Sequence, residues 1–214
     1  MKMKIIIIYD NTSLKADLKA DWGFSALIEA HGRKILFDTG ANGRILLENM
    51  SALNINPKDI TDIFISHFHF DHIGGLSHFL NENNNIVLHS PPSFRGVRYA
   101  REVHYYNKPQ KIYKNIYTSG ELAEIEQSMA FETEKGLMII TGCSHPPMKK
   151  ILGRFSQFGT VFGIAGGFHD FEKFKLFNGM KLISPMHCTK NLSNIRLLYP
   201  EQFISGGAGQ VIEF

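Results

Sequence analysis

Ser66-His67-Phe68-His69-Phe70-Asp71-His72 places four metal-ligand side chains within six residues and runs into Gly74-Gly75. Imidazole and carboxylate are the usual ligands of catalytic zinc and similar ions. In an extended stretch alternate side chains share a face. His67 and His69 are therefore expected to reach one cation, while Asp71 and His72 turn toward a second. Three of the remaining histidines recur in short polar or glycine-rich settings: Cys143-Ser144-His145, Gly166-Gly167-Phe168-His169 and Met186-His187-Cys188. Each follows an apolar run, and ends of strands are where functional groups collect in layered folds.

The elements that must position these residues are readable from the pattern. Residues 4–9, 24–30, 34–37, 62–66 and 86–89 read as strands, with a turn at His31-Gly32. Residues 43–53 carry Ile45, Leu46, Met50 and Leu53 at helical spacing. A hairpin is expected from 128–132 and 137–141, a helix over 149–158, and strands over 161–164 and 181–184. A helix over 191–198 and closing strands at 203–205 and 210–214 complete the chain. Strands precede the first long helix and recur after it, so a mixed layered α/β fold fits better than simple βαβ alternation.

Composition narrows the classes. The chain has 214 residues, 43% of them hydrophobic and 20% charged, which excludes a disordered or coiled-coil protein. A net charge of +3 is too mild to argue for nucleic acid or membrane. Two cysteines exclude a disulfide scaffold and fit a reducing compartment. The apolar run at 5–9 is too short for a signal-peptide core, no stretch is long enough to span a bilayer, and a cytoplasmic protein is expected. One segment stands apart. Residues 91–117 hold Arg95, Arg98, Arg101, Lys108, Lys111 and Lys114 against the single acid Glu102, with five tyrosines. It reads as a basic, aromatic insertion or lid on one domain spanning 1–214. It suits closure over a small anion, an interface or solvated surface, and less readily single-stranded nucleic acid.

With these residues in view, the sequence resembles the metallo-β-lactamase fold superfamily over nearly its whole length. Phe37-Asp38-Thr39-Gly40 resembles the first motif of that superfamily, and His67, His69, Asp71 and His72 match its HxHxDH motif. The Asp10-Asn11 pair and the later stretches resemble the subgroup containing the archaeal dihydropterin ribofuranosylaminobenzene 5′-phosphate synthases. The resemblance implies a four-layer αββα sandwich with two divalent metal ions at one edge, zinc first and manganese or iron as alternatives. It implies that His67, His69 and His145 hold one ion and that Asp71, His72 and His187 hold the other. Asp38 would stand behind them, accepting a hydrogen bond from a ligand imidazole or the backbone.

The fourth motif departs from the superfamily, which usually has a bridging aspartate there. The candidate here is His169, and a neutral imidazole offers one lone pair. Either His169 ligates one metal, leaving hydroxide as the only bridge, or it sits off the metals as acid, base or substrate donor, with Asp170 as the fallback bridge. Lys190 is read either as a phosphate-binding charge or as the solvent side of the next helix. Asn11, Arg95, Arg98 and Lys190 are the candidate substrate contacts. Cys143 and Cys188 are read as packing, as soft ligands or as a redox pair, His89 as a pocket-lining candidate, and Trp22 as core or pocket wall.

The expected activity is hydrolysis of an anionic, phosphorylated small molecule by a hydroxide made at the metals, with Asp71 and His169 as catalytic groups. The alternatives are a transferase of the synthase type just named, an iron-dependent redox enzyme, and a nuclease.

Overall fold

The computed structural model describes residues 3–214. The chain forms β1 (Lys4–Tyr9), β2 (Ser25–Ala30), β3 (Arg33–Phe37), α1 (Gly43–Ala52), β4 (Asp62–Phe64), α2 (Phe70–Ile73), α3 (Leu76–Glu82) and β5 (Val87–Ser90). It continues through β6 (Glu102–Tyr105), β7 (Gln110–Tyr113), β8 (Ile116–Thr118), β9 (Met129–Thr133), β10 (Gly136–Thr141) and α4 (Met148–Phe155). The last elements are β11 (Val161–Gly167), β12 (Leu182–Met186), α5 (Leu192–Leu198) and β13 (Val211–Glu213).

Two sheets result, in the orders β13-β1-β2-β3-β4-β5-β6 and β12-β11-β10-β9-β8-β7. Ile5, Ile7, Phe37 and Phe64 of the first sheet pack against Phe131, Met138 and Ile140 of the second. On the outer face of the first sheet, Ile6, Ile8 and Leu36 meet Leu46 and Met50 of α1 and Phe79 of α3. On the outer face of the second, Ile139 and Ile164 meet Ile151 and Phe155 of α4 and Ile195 of α5. The layers are helix, sheet, sheet, helix. This explains why β1 is an unbroken apolar run: both of its faces are covered, so no polar alternation is needed. The turn into α1 is fixed by Asn42, whose side-chain oxygen accepts from the amides of Arg44 (3.0 Å) and Ile45 (3.5 Å).

Four expectations change. Asp71 and His72 lie on the helical turn α2 rather than in an extended loop. The helix α3 was not anticipated, although Leu76, Phe79 and Leu80 carry its spacing and are buried. Residues 203–205 form no strand, because Phe203 makes only an isolated bridge to Ile183. Segment 91–117 is largely framework, since β6 and β7 close corresponding edges of the two sheets and β8 pairs inside the second. Its charged residues suit edge strands, where one side of the ladder faces solvent. The stretch before β6 and the short links that follow β6 and β7 are irregular.

Candidate metal centre

β3, β4 and β5 run parallel in the first sheet, and β10, β11 and β12 run parallel in the second. Parallel strands release their C-terminal loops at one edge, which is why motifs far apart in sequence meet there. The loop after β4 carries His67 and His69, and α2 carries Asp71 and His72. The loop after β10 carries His145, and the residue after β12 is His187.

Two ligand groups form. The ring nitrogens of His67, His69 and His145 converge: His67 Nε2 lies 3.1 Å from His69 Nδ1 and 3.2 Å from His145 Nε2. Three nitrogens bound tetrahedrally to zinc at its usual distance would stand about 3.3 Å apart, so this group fits such an ion. In the second group Asp71 Oδ2 lies 3.3 Å from His187 Nε2 and 3.7 Å from His72 Nε2. His187 is 8% exposed, and its Nε2 is buried without a hydrogen-bond partner among the described residues. Although within ion-pair reach of Asp71, this nitrogen is not aligned to donate to it. A buried polar atom without a partner calls for an explanation, and a cation beside Asp71 supplies one.

The protein holds these groups from behind. Asp38 Oδ2 takes His72 Nδ1 at 2.7 Å and the Ser66 hydroxyl at 2.6 Å, while Oδ1 accepts the Ser66 amide at 2.7 Å. His72 is thereby turned so that Nε2 faces the site. Ser66 Oγ contacts His67 Nδ1 at 2.9 Å, fixing that ring in the same way. Glu126, fully buried, gathers the His145 loop: Oε1 accepts from the amides of Gly142, Cys143 and Ser144, and Oε2 accepts from His145 at 2.8 Å. Asp10 Oδ1 accepts the His187 amide at 2.8 Å. Asp38, Ser144, His169 and His187 all have positive φ, between 48° and 60°. Such non-glycine conformations cost of order 1–3 kcal/mol each and gather where a site is tightly determined.

The electrostatics agree with the geometry. Burial, followed by the neighbouring imidazoles, holds His67 far below the ordinary histidine range. Burial, with His69 and His169, lowers His145 to about 4. Both are neutral at pH 7 and carry the lone pairs a cation needs. Burial lowers His72 too, but Asp38 outweighs it and the net direction is up. Burial raises Asp71, yet His187 and His72 outweigh it and hold the carboxylate well below its usual range. Cys188 and burial push the Cys143 thiol up.

The other candidates fall elsewhere. His169 belongs to neither ligand group. Its ring packs against His145 with centroids 5.0 Å apart, and Nδ1 contacts Asp170 Oδ1 at 2.7 Å. Of the two readings of His169, this geometry favours the one that sits off the ligand groups. Asp170 is exposed and engaged by Lys190 Nζ at 3.1 Å, so it bridges no ligands. Lys190 is likewise tied at the rim.

Asn11 holds His187: its Nδ2 donates to the His187 carbonyl, and its Oδ1 meets His187 Nδ1, both at 3.0 Å. Arg95 and Arg98 line a separate cavity of about 360 Å³ against α3, where the Arg95 Nε donates to the Pro92 carbonyl. His89 is buried with Asp62 and Tyr106 and lines no pocket at the centre. Trp22 is not core: it is 58% exposed, with its ring centroid 5.2 Å from that of His187. Glu126 and Asp10 escaped the sequence reading. Asp10 had a signal, standing beside Asn11 at the end of the first strand. Glu126 had none, because its partners are backbone amides sixteen to nineteen residues on.

Residues 22–149 match the profile of the metallo-beta-lactamase superfamily. The αββα layers, the parallel strand ends and this match define the class, and the chain belongs to the metallo-β-lactamase superfamily, whose members bind divalent metal. It is 30% identical, over 90% of each chain, to the 7,8-dihydropterin-6-methyl-4-(β-D-ribofuranosyl)-aminobenzene-5′-phosphate synthase of Methanocaldococcus jannaschii. It is 29% identical to an uncharacterised protein of the same archaeon, over 97% of this chain and 99% of the other. Among solved structures it resembles a metal-dependent hydrolase of the β-lactamase superfamily, with a TM-score of 0.79 and 25% identity over 99% of both chains.

Proposed function

We propose that this chain is a hydrolase holding two divalent cations, zinc in the first instance, and acting on a phosphorylated small molecule. The observation that carries the reading is the pairing of His67, His69 and His145 with Asp71, His72 and His187 at one sheet edge. When bound, such cations act as Lewis acids and make water a nucleophile near neutral pH.

The chain's own residues supply the rest. Asp71 turns Oδ2 to the second ligand group, and its Oδ1 accepts the proton of the attacking water. His169 donates Nδ1–H to Asp170, and in its imidazolium form it passes the Nε2 proton to the leaving oxygen and is left as the neutral Nδ1–H tautomer. Beside it lies a cavity of about 280 Å³ lined by His145, Pro147, Phe168 and Phe171 among others, which suits the leaving group. Lys190, one residue past the loop that holds Cys188, adds positive charge at this rim.

A second reading is transfer rather than hydrolysis. The likeness to the pterin-linked phosphate synthase favours it. There the residues would steady a departing pyrophosphate while an arylamine attacks. The exposed aromatic rings of Trp22 and Phe68, each against a ligand imidazole, suit a flat heterocycle in either reading. The compartment we assign is the cytoplasm, where Cys143 and Cys188 stay reduced.

The deciding experiment measures metal per chain and then turnover of phosphate monoesters, diesters and a pterin pyrophosphate with and without an arylamine. Two cations and phosphate-ester cleavage support hydrolysis. Turnover that requires the arylamine replaces it with transfer. A protein that binds no divalent metal overturns both.

A further inference from the structure

Six ligands account for the two groups but not for two sulfurs packed behind them. Cys143 is 3% exposed, and its Sγ lies 3.2 Å from His72 Nε2. The same sulfur lies within 4.8 Å of a ring nitrogen of each of His67 and His72. His67 belongs to the first group and His72 to the second. Among the described residues, the set of His67, His72 and Cys143 is the one that draws on both.

A third set joins Cys143 and Cys188 to His187, whose buried Nε2 is the atom without a hydrogen bond. Gly167 makes room for this arrangement. A Cβ there would stand 2.6 Å from Cys188 Sγ and 2.4 Å from the Gly142 carbonyl oxygen.

Two dications roughly 3.5–4 Å apart repel strongly unless an anion stands between them. The acid of the site, Asp71, serves the second group only. An imidazole has one free lone pair and cannot span two ions. A thiolate sulfur has several and is a soft donor that favours zinc or iron over magnesium or manganese. We propose that Cys143 Sγ bridges the two cations and biases the centre toward thiophilic metals. On coordination the thiol proton passes to solvent and no oxidant is involved. Cys188, whose Sγ donates to the Cys143 carbonyl at 3.8 Å, is a positioning residue. The inference rests on the two-cation reading above.

The test is X-ray absorption of the zinc-loaded protein, together with the ultraviolet thiolate-to-cadmium charge-transfer band of the cadmium-loaded one. The bridging sulfur predicts a zinc–sulfur shell at about 2.3 Å seen by both zinc ions. It also predicts a cadmium band that is lost in Cys143→Ser and kept in Cys188→Ser. The wild-type spectrum needs no variant to fold. Two bound zinc ions with only nitrogen and oxygen neighbours overturn the bridge while leaving the two-cation site intact. A sulfur seen by one zinc alone, or a band that follows Cys188, also overturns it. A wild type that binds no metal defeats the underlying reading instead.

Discussion

Two buried histidine clusters lie in this molecule, and they differ in what they leave undone. At the edge carrying β6 and β7, Asp62 is fully buried. Its Oδ1 accepts from the Tyr113 hydroxyl at 2.6 Å and from His89 Nε2 at 2.9 Å. Its Oδ2 accepts from the Thr61 hydroxyl at 2.6 Å, and His89 Nδ1 accepts from the Tyr106 hydroxyl at 2.8 Å. Donors and acceptors match, and the cluster closes on itself. At the metal edge the imidazoles of His67, His69 and His145 turn nitrogen toward nitrogen, and His187 Nε2 has no hydrogen-bond partner among the described residues. Residue types alone do not separate the two clusters. The balance of donors and acceptors does: the first needs nothing more, and the second needs a cation.

Removing a ligand should therefore break function and removing a closed partner should break stability. His67→Ala is expected to lower turnover by about 10³-fold or more and to lose bound metal, while circular dichroism still reports a folded chain. Retained metal and turnover would merge the two clusters into one class.

Asp62→Ala should act the other way. Stripping a buried, multiply bonded carboxylate costs about 3 kcal/mol, read in urea denaturation, with metal content per folded chain unchanged. Asp38→Asn lies between them: it keeps the volume but weakens the hold on His72, and metal affinity should fall about 10–100-fold in a competition titration with a chelator.

The closed cluster also has a pH signature. Burial lowers His89, so below about pH 6.5 the unfolded chain takes up a proton that the folded one refuses. Burial raises Asp62, but hydrogen bonds from His89, Thr61 and Tyr113 outweigh it and hold the carboxyl below its usual value. Both contributions are complete above the unfolded values and fade as the pH falls, first for His89 and then, below about pH 4, for Asp62. Stability followed from pH 7 to 3 should lose less in His89→Gln than in the wild type, since that change removes the His89 contribution and weakens the hold on Asp62.

The smallest effect is expected at the rim. Lys190→Ala breaks a solvent-exposed ion pair with Asp170 and should leave the melting temperature unchanged. Any change in KM would then report substrate contact alone.

How far the sequence carries depends on how local each signal is. His67, His69, Asp71 and His72 declare themselves because four ligands share one short stretch. β1 does so because a fully covered strand is apolar throughout. His145 and His187 are recognisable only as strand-end histidines, since their meeting depends on parallel strands thirty or more residues apart. Glu126 is silent because it recognises backbone amides, which carry no residue identity. His169 and Asn11 show a subtler limit. A polar residue beside a site can face the ligand or hold its neighbour, and only coordinates distinguish the two. In segment 91–117 the charge is conspicuous, and the strands are not, because β6 and β7 are four residues each and partly exposed.

The ligands come from both halves of the sandwich. His67, His69, Asp71 and His72 follow β4 in the first sheet, and His145 and His187 follow β10 and β12 in the second. A cation held by both groups would thus enter the folding equilibrium itself. An ion that binds only the docked halves stabilises them by about 2.7 kcal/mol when free at a hundred times its Kd. Starved of metal, such a chain would be more than inactive. Its sheets would part more often.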